Sequence, residues 1–376
     1  MAGAENAMNI ESTSFITTVS SVKREIVQNE IIRAKKGNGD KIPSVRVLAK
    51  KYRVSPTTIM RIVAELTGEG VLITSEKRGV FINAIDLCSR YLIPKDNIAV
   101  IVNAFGYYYD EVLGVIEAEA DKRNLRIIFQ TSGWGYRDVS PIIAELGGLS
   151  RTAGIIMRIP DGFSDTTPFM HTISQGVPIV FIDSDLAEVN TDSITVDNIT
   201  GARRAVEHLI ENGHTRIGFF REPTQVRSSV EADRYRGYCA ALAAHGITAP
   251  NEFDIQRSED DLSLADASLR DLIASQTITA FFCYNDLYAH WLIAYCRMQN
   301  ISVPDDISIV GFDNARSLPT PRLSTMDPHK EEMGRHAARL LFRRIASPYD
   351  AYAPEHIVLT PTLVHGDTVR SLSGVR

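Results

Sequence analysis

From Ile98 onward, short β-rich runs alternate with helical patterns, and no other feature so restricts the folds open to this chain. Strand candidates lie at 98–102, 126–130, 154–157, 178–182, 216–220, 279–283 and 307–312. Helical patterns occupy 109–123, 198–211, 229–245, 263–275, 285–299 and 331–345. Strands spaced by helices pair in parallel, because only a long crossover returns the chain to the same end of a sheet. More than 250 residues of this pattern exceed one simple sheet. The expectation is an α/β body over 98–376, with parallel sheets in two lobes.

The N-terminal region follows another pattern. Val19, Val22, Ile26 and Ile31 fall near helical spacing and predict an amphipathic helix over 16–35, stopped by Lys36-Gly37-Asn38-Gly39-Asp40. A short second helix over 45–52 follows, with Ser44 as its N-cap. After Arg53-Val54-Ser55 comes a third helix, with Ser55 as N-cap, Pro56 at the first helical position, and Ile59, Ile62, Val63 and Leu66 as its inward stripe. Two short helices so joined form a helix-turn-helix, whose second helix presents its N-terminal residues to a DNA major groove. Val71-Leu72-Ile73-Thr74 and Val80-Phe81-Ile82 then alternate as strands about the basic turn Lys77-Arg78-Gly79, which makes a wing. The candidate DNA contacts are Ser44, Arg46, Ser55, Thr57, Thr58 and Arg61, with Lys77, Arg78 and Gly79 at the wing.

Charge supports this division. Between Ser14 and Asn83 there are 13 Lys and Arg against 6 Asp and Glu, a net of +7, whereas the whole chain carries −6. A basic head on an acidic body indicates that the head alone meets a polyanion. Residues 1–13 are polar and small and read as a disordered tail; 84–97, with Pro94, read as a linker.

Ligands of open parallel sheets collect at the carboxyl ends of the strands. There the sequence places Asn103 to Tyr109, then Trp134, Arg158 and Asp161, Asp183 and Asp185, Arg221, Tyr284-Asn285-Asp286, and Asp313-Asn314. Carboxylates, amides and a guanidinium bind neighbouring hydroxyls in pairs, and aromatic faces cover C–H surfaces. Such a set suits a sugar or another polyol. The candidate ligand contacts are Tyr107, Tyr108, Trp134, Asp183, Arg234, Asn285 and Asp313.

Two resemblances attach to these motifs. Pro43-Ser44-Val45-Arg46-Val47-Leu48-Ala49, Val54-Ser55-Pro56-Thr57-Thr58-Ile59 and Leu66-Thr67-Gly68-Glu69-Gly70 resemble the winged helices of the gluconate-repressor family. Pro56 stands where that family has arginine and Met60 at a commonly basic position, so the operator read here is expected to differ. The body is similar to the effector domain of the lactose/galactose-repressor family. It carries Val196-Asp197-Asn198-Ile199-Thr200-Gly201, His208 to Gly218, Arg234-Tyr235-Arg236-Gly237-Tyr238, Tyr284-Asn285-Asp286 and Val303 to Asn314, and then Pro321 to Thr325 with Met333-Gly334. By position, the resemblance implies effector contacts at Asp183, Arg234, Asn285 and Asp313, with Tyr107 and Tyr108 contributing. The combination of head and body is similar to arabinose-responsive repressors. It implies a homodimer that binds double-stranded operator DNA and responds to a small molecule, expected to be a sugar.

Other classes fare less well. The sequence has no Walker motif, HExxH, GxSxG or GxGxxG, so neither a catalytic residue, a cofactor nor a metal is expected. No apolar run reaches the roughly 18 residues of a membrane span. The four cysteines lack CxxC spacing, and the N-terminus lacks a signal-peptide pattern, which points to the cytoplasm. The alternatives are a sugar-binding protein of transport or chemoreception, and a sugar-modifying enzyme.

Overall fold

The computed structural model describes residues 19–91, 95–104, 106, 108–133, 138–148, 151–221, 228–248, 253–254, 267–275, 277–316, 322–346 and 353–372. The chain forms two compact units, one of Met1–Lys95 with Arg343–Ala351 and the other over Asp96–Phe342 with Tyr352–Arg376.

In the first unit, helix α1 (Val19–Ile26) runs on into a π-helical segment, Val27–Ile32. The expected single helix therefore widens midway. The wider turn brings Val27, Glu30 and Ile31 inside with Val22 and Ile26. Glu30 is held there by the Tyr52 hydroxyl, which donates at 2.7 Å, and by Lys51. Helices α2 (Val45–Tyr52) and α3 (Pro56–Gly68) follow, then an antiparallel pair, β1 (Leu72–Ser75) and β2 (Gly79–Ile82). At the wing turn Gly79 adopts φ +112°, and a Cβ there would stand 2.6 Å from the Lys41 side chain, so only glycine fits. Part of the stretch expected as a linker is folded: Asp86–Tyr91 is a 3-10 helix whose Cys88 joins the head's apolar core. The Tyr91 carbonyl accepts from Gln28 at 2.7 Å, and the Tyr91 hydroxyl donates to Glu69. Sequence reading missed this because one buried Cys and one anchored Tyr make no periodic pattern.

In the second unit the strands are β3 (Asn97–Val102), β4 (Arg126–Thr131), β5 (Thr152–Met157), β6 (Ile179–Ile182), β7 (Asp192–Val196), β8 (Ile217–Arg221), β9 (Phe253–Asp254), β10 (Ala280–Cys283), β11 (Ser308–Phe312), β12 (Ser324–Asp327), β13 (His356–Leu359) and β14 (Thr362–Val364). The helices are α4 (Tyr109–Asp121), α5 (Ser140–Gly148), α6 (Thr167–Ser174), α7 (Asn198–Glu211), α8 (Ser229–Ala244), α9 (Ala267–Ala274), α10 (Asp286–Met298) and α11 (Lys330–Ala346). Two six-stranded sheets result, in the orders β13-β7-β6-β5-β3-β4 and β14-β12-β11-β10-β8-β9. The first is parallel throughout; in the second, β14 alone runs antiparallel, along β12. The two-lobed α/β body expected from the alternation is present.

The central strands are buried on both faces, and alternate residues meet different helices. Ala99, Ile101, Ile155, Met157, Ile179 and Phe181 face one side with Ile143, Leu146 and Phe169 of α5 and α6. The alternate residues meet α4 and α11, where Gly154 lies against Leu341 and Gly334 against the Val112 carbonyl. In the second lobe, Phe220, Phe281 and Ile309 pack with α9 and α10. On the other side, Phe219 meets Tyr235 and Tyr238 of α8 at ring separations of 5.3 and 5.5 Å. The chain passes between lobes three times: after β7, before α11, and between β13 and β14. These passages put the carboxyl ends of β3, β5 and β6 opposite those of β10 and β11.

Candidate functional site

The cleft between the two lobes of the body is lined by Asn103, Ala104, Gly106, Tyr108, Tyr109, Arg158, Asp183, Val230, Arg234, Tyr284, Asn285 and Asp313. It opens to solvent, and its empty volume with that open space counted is about 550 Å³. Of the seven ligand contacts expected from sequence, Tyr108, Asp183, Arg234, Asn285 and Asp313 come together here. Tyr107 and Trp134 lie outside the described residues. Asn103, Tyr109, Arg158 and Val230 line the cleft without having been named among the candidates. Asn103 and Arg158 directly follow β3 and β5, and that position was the available signal. Arg221, also at a strand end, is instead paired with Glu231 at 2.9 Å.

Asp183 follows β6 with φ +52° and receives both the Tyr108 hydroxyl at 3.2 Å and the Tyr109 hydroxyl at 3.1 Å. Burial raises its carboxyl above the ordinary range, against the pull of Arg158, Arg234 and the two phenols. Burial, with Asp183 alongside, also lifts both phenols well above theirs. Arg158 donates to both oxygens of Asp161 at 3.0 and 3.1 Å and to the Ile159 carbonyl at 3.2 Å.

Across the cleft, Arg234 is fixed on α8 by three partners. Nε donates to Asn198 at 2.9 Å, Nη1 to the Tyr284 carbonyl at 2.7 Å, and Nη2 to Asp313 at 3.1 Å. Its guanidinium lies 3.7 Å from the centre of the Phe312 ring. Asn285 caps α10 by accepting from the Tyr288 N–H at 3.0 Å, which leaves its amide nitrogen for the cleft it lines. Asp313, 3% exposed, is pushed up to about 7 by burial, with Arg234 and Lys330 opposing and Asp286 and Asp183 adding to the rise. Behind it Asp286 accepts from Thr325 at 2.6 Å and from the Ala315 N–H at 2.7 Å, which holds the loop that presents Asp313. Lys330, 1% exposed, joins the lobes by pairing with Glu111 at 2.8 Å and donating to the Asn314 carbonyl at 3.2 Å.

Asn103 Oδ1 is buried with no hydrogen-bond partner among the described residues, although its residue lines the cleft. A buried acceptor in this position is suited to a hydrogen-bond donor in the cleft.

In the first unit, Ser44, Arg46, Ser55 and Thr57 are exposed at the starts of α2 and α3, as are Lys77 and Arg78 at the wing. The Ser55 hydroxyl caps α3, accepting from the Thr58 N–H at 3.1 Å, and lies 2.8 Å from the Thr58 hydroxyl. Arg61 Nε reaches Glu65 at 3.3 Å.

Comparison with known proteins agrees with this anatomy. Residues 19–82 match the family of bacterial regulatory proteins, gntR family, and residues 206–369 match the periplasmic binding protein-like domain. The HTH-type transcriptional repressor PurR of Mannheimia succiniciproducens is 26% identical over 339 residues, covering 88% of this chain and 99% of that protein. The arabinose metabolism transcriptional repressor of Geobacillus stearothermophilus is 26% identical over 337 residues, covering 86% of this chain and 90% of its own length. Among solved structures, a periplasmic binding protein/LacI transcriptional regulator from Alkaliphilus metalliredigens, in complex with D-xylulofuranose, shares the fold. Its TM-score is 0.62 at 21% identity, over 73% of this chain and all of that one. No helix among the described residues is long and apolar enough to cross a membrane. The chain is a ligand-responsive, DNA-binding transcription regulator whose head matches the gntR family and whose effector domain matches the periplasmic binding protein-like domain.

Proposed function

We propose that this protein is a cytoplasmic repressor of carbohydrate-utilisation genes, released from its operator when an uncharged sugar occupies the cleft. The carrying observation is the state of the cleft's charges. Arg158 is paired with Asp161 and Arg234 with Asp313, so among the described residues that line the cleft each guanidinium already has a carboxyl partner. Asp183, Asp313 and the orphaned Asn103 oxygen are acceptors, and hydroxyl groups are the donors that satisfy them. Tyr108 and Tyr284 offer apolar faces to the C–H surface of a ring. The arabinose repressor and the xylulofuranose complex among the relatives support the same class.

In this reading residues 14–83 are the operator-binding head and 98–376 the effector domain, and the protein works as a homodimer reading two half-sites. Ser44, Arg46, Ser55, Thr57, Thr58 and Arg61 face the major groove side of the duplex, and Lys77, Arg78 and Gly79 the wing side. Sugar contacts come from Tyr107, Tyr108, Trp134, Asp183, Arg234, Asn285 and Asp313, joined by Asn103 and Arg158. Coupling of about 1–3 kcal/mol between cleft and operator changes DNA affinity by about 5- to 150-fold. The effector leaves unchanged; turnover of a bound sugar would place the protein among enzymes instead.

A thermal-shift panel of neutral sugars, sugar acids, sugar phosphates and purines tests the reading. A neutral sugar at about 100-fold its Kd is expected to stabilise the protein by about 2.7 kcal/mol and to release a bound operator duplex. Stabilisation by a phosphate or a purine alone, or a hit that leaves operator affinity unchanged, defeats it.

A further inference from the structure

Helix α3 turns two different faces to its surroundings. Ile59, Ile62, Val63 and Leu66 are buried and form the inward stripe. Opposite them Thr57, Met60, Arg61, Ala64 and Gly68 follow at spacings of three, four, seven and eleven residues from Thr57 and share the outward face. Thr57, Met60, Ala64 and Gly68 are exposed, with Met60 at 54%. This face is poor in groups for reading base edges by hydrogen bonds. Arg61 is drawn to Glu65, which Lys23 also holds at 3.1 Å. The hydroxyls of Ser55 and Thr58 bond to each other at the helix start, and Pro56 has no N–H to give. What the helix offers outward is chiefly a methyl, a thioether chain and a second methyl, from Thr57, Met60 and Ala64.

The partner of this face follows from charge. The head carries +7 over 14–83, with Arg46 and Lys50 exposed on α2 and Lys77 and Arg78 exposed on the wing. Cations around an apolar stripe fit a duplex whose phosphates surround an apolar feature. On the base edges of the major groove that feature is the C5-methyl of thymine. We infer that Thr57, Met60 and Ala64 read thymine methyl groups in the major groove, with Met60 as the principal specificity-determining residue. The inference rests on the DNA-binding reading of the head and adds the chemical group that the head selects. The basic residues then hold the register on phosphate without carrying sequence information.

The test uses the full-length protein and replaces thymine by deoxyuridine, which lacks the methyl but keeps every hydrogen-bonding group. A preferred duplex is first selected from a random library, and each thymine is then replaced in turn while affinity is followed by fluorescence anisotropy at fixed salt. Removing a buried methyl is expected to weaken binding about fourfold at one or more positions of each half-site. Met60→Ala is expected to bind the thymine and deoxyuridine duplexes alike at the position it reads, and Met60→Leu to keep the discrimination. Because Met60 is exposed, both variants are expected to melt with the parent protein. If no deoxyuridine duplex binds more weakly, or Met60→Ala discriminates as the parent does, the inference is wrong and the DNA-binding head stands. If the library yields no preferred duplex, sequence-specific binding by the head falls with it.

Discussion

Arg234 Nη2 and Asp313 Oδ1 stand 3.1 Å apart in the wall of the cleft, and each side chain is only 4% exposed. A pair so placed is sensitive to loss of Arg234, because its truncation leaves Asp313, Asn198 Oδ1 and the Tyr284 carbonyl without their donor in a poorly hydrated site. Arg234→Ala is expected to destabilise the effector domain by about 3–5 kcal/mol. Asp313→Asn, which retains shape and one acceptor, is expected to cost less. Urea denaturation of the two variants measures this; an Arg234→Ala protein as stable as the parent would show that water reaches the pair.

Asp313 also makes effector binding depend on pH. Its carboxyl is pushed up to about 7 by burial, opposed by Arg234 and Lys330 and assisted by Asp286 and Asp183. A sugar hydroxyl that donates to it favours the charged form, so binding releases a proton. Affinity is expected to climb as pH rises toward about 7, by at most about tenfold per unit, and then to level off. For stability the sign is opposite: this group's contribution is complete below its unfolded value and is lost as pH rises through about 7. Isothermal titration in buffers of different ionisation enthalpy reads the proton directly. A flat profile in the parent, matching Asp313→Asn, would show that the ligand does not use this carboxylate.

The two proposed activities are separable by substitution. Arg46→Ala is expected to weaken binding to all duplexes by a similar factor and to reduce the salt slope by about 1, with the sugar-induced thermal shift intact. Asp313→Ala is expected to remove the thermal shift and leave operator binding intact. Equal damage to both activities by both variants would point to unfolding.

Helix contacts in the second lobe give a prediction about stability alone. A Cβ on Gly237 of α8 would stand 2.3 Å from the Ile199 carbonyl oxygen and 2.8 Å from Ala202 Cβ on α7. Gly237→Ala is therefore expected to destabilise by about 1–3 kcal/mol or more. Gly114, inside α4, has nothing within 4 Å of its Cβ position, so Gly114→Ala is expected to be neutral or to stabilise by up to about 1 kcal/mol. Denaturant midpoints of the two variants should move apart, and equal midpoints would contradict the close α7–α8 approach.

Local pattern settled much of this protein. Short apolar runs marked β3, β5, β6, β8, β10 and β11, and helical spacing, with serine caps at α2 and α3, marked α2, α3, α7 and α10, because those signals are written into neighbouring residues. The strand ends then pointed to Asp183, Asn285 and Asp313 as one cluster, with Arg234 on a helix facing the same region. Long-range pairing decided the rest. Strand β7 begins with Asp192, which reads as a loop residue until its carboxylate is seen to accept from the Glu355 N–H at 2.8 Å. Strands β13 and β14 are close in sequence yet join different sheets, a choice no local pattern can encode. The sequence could list the cleft's charged groups, but only the fold could pair Arg158 with Asp161 and Arg234 with Asp313, because a charge's availability depends on which opposite charge the chain brings to it.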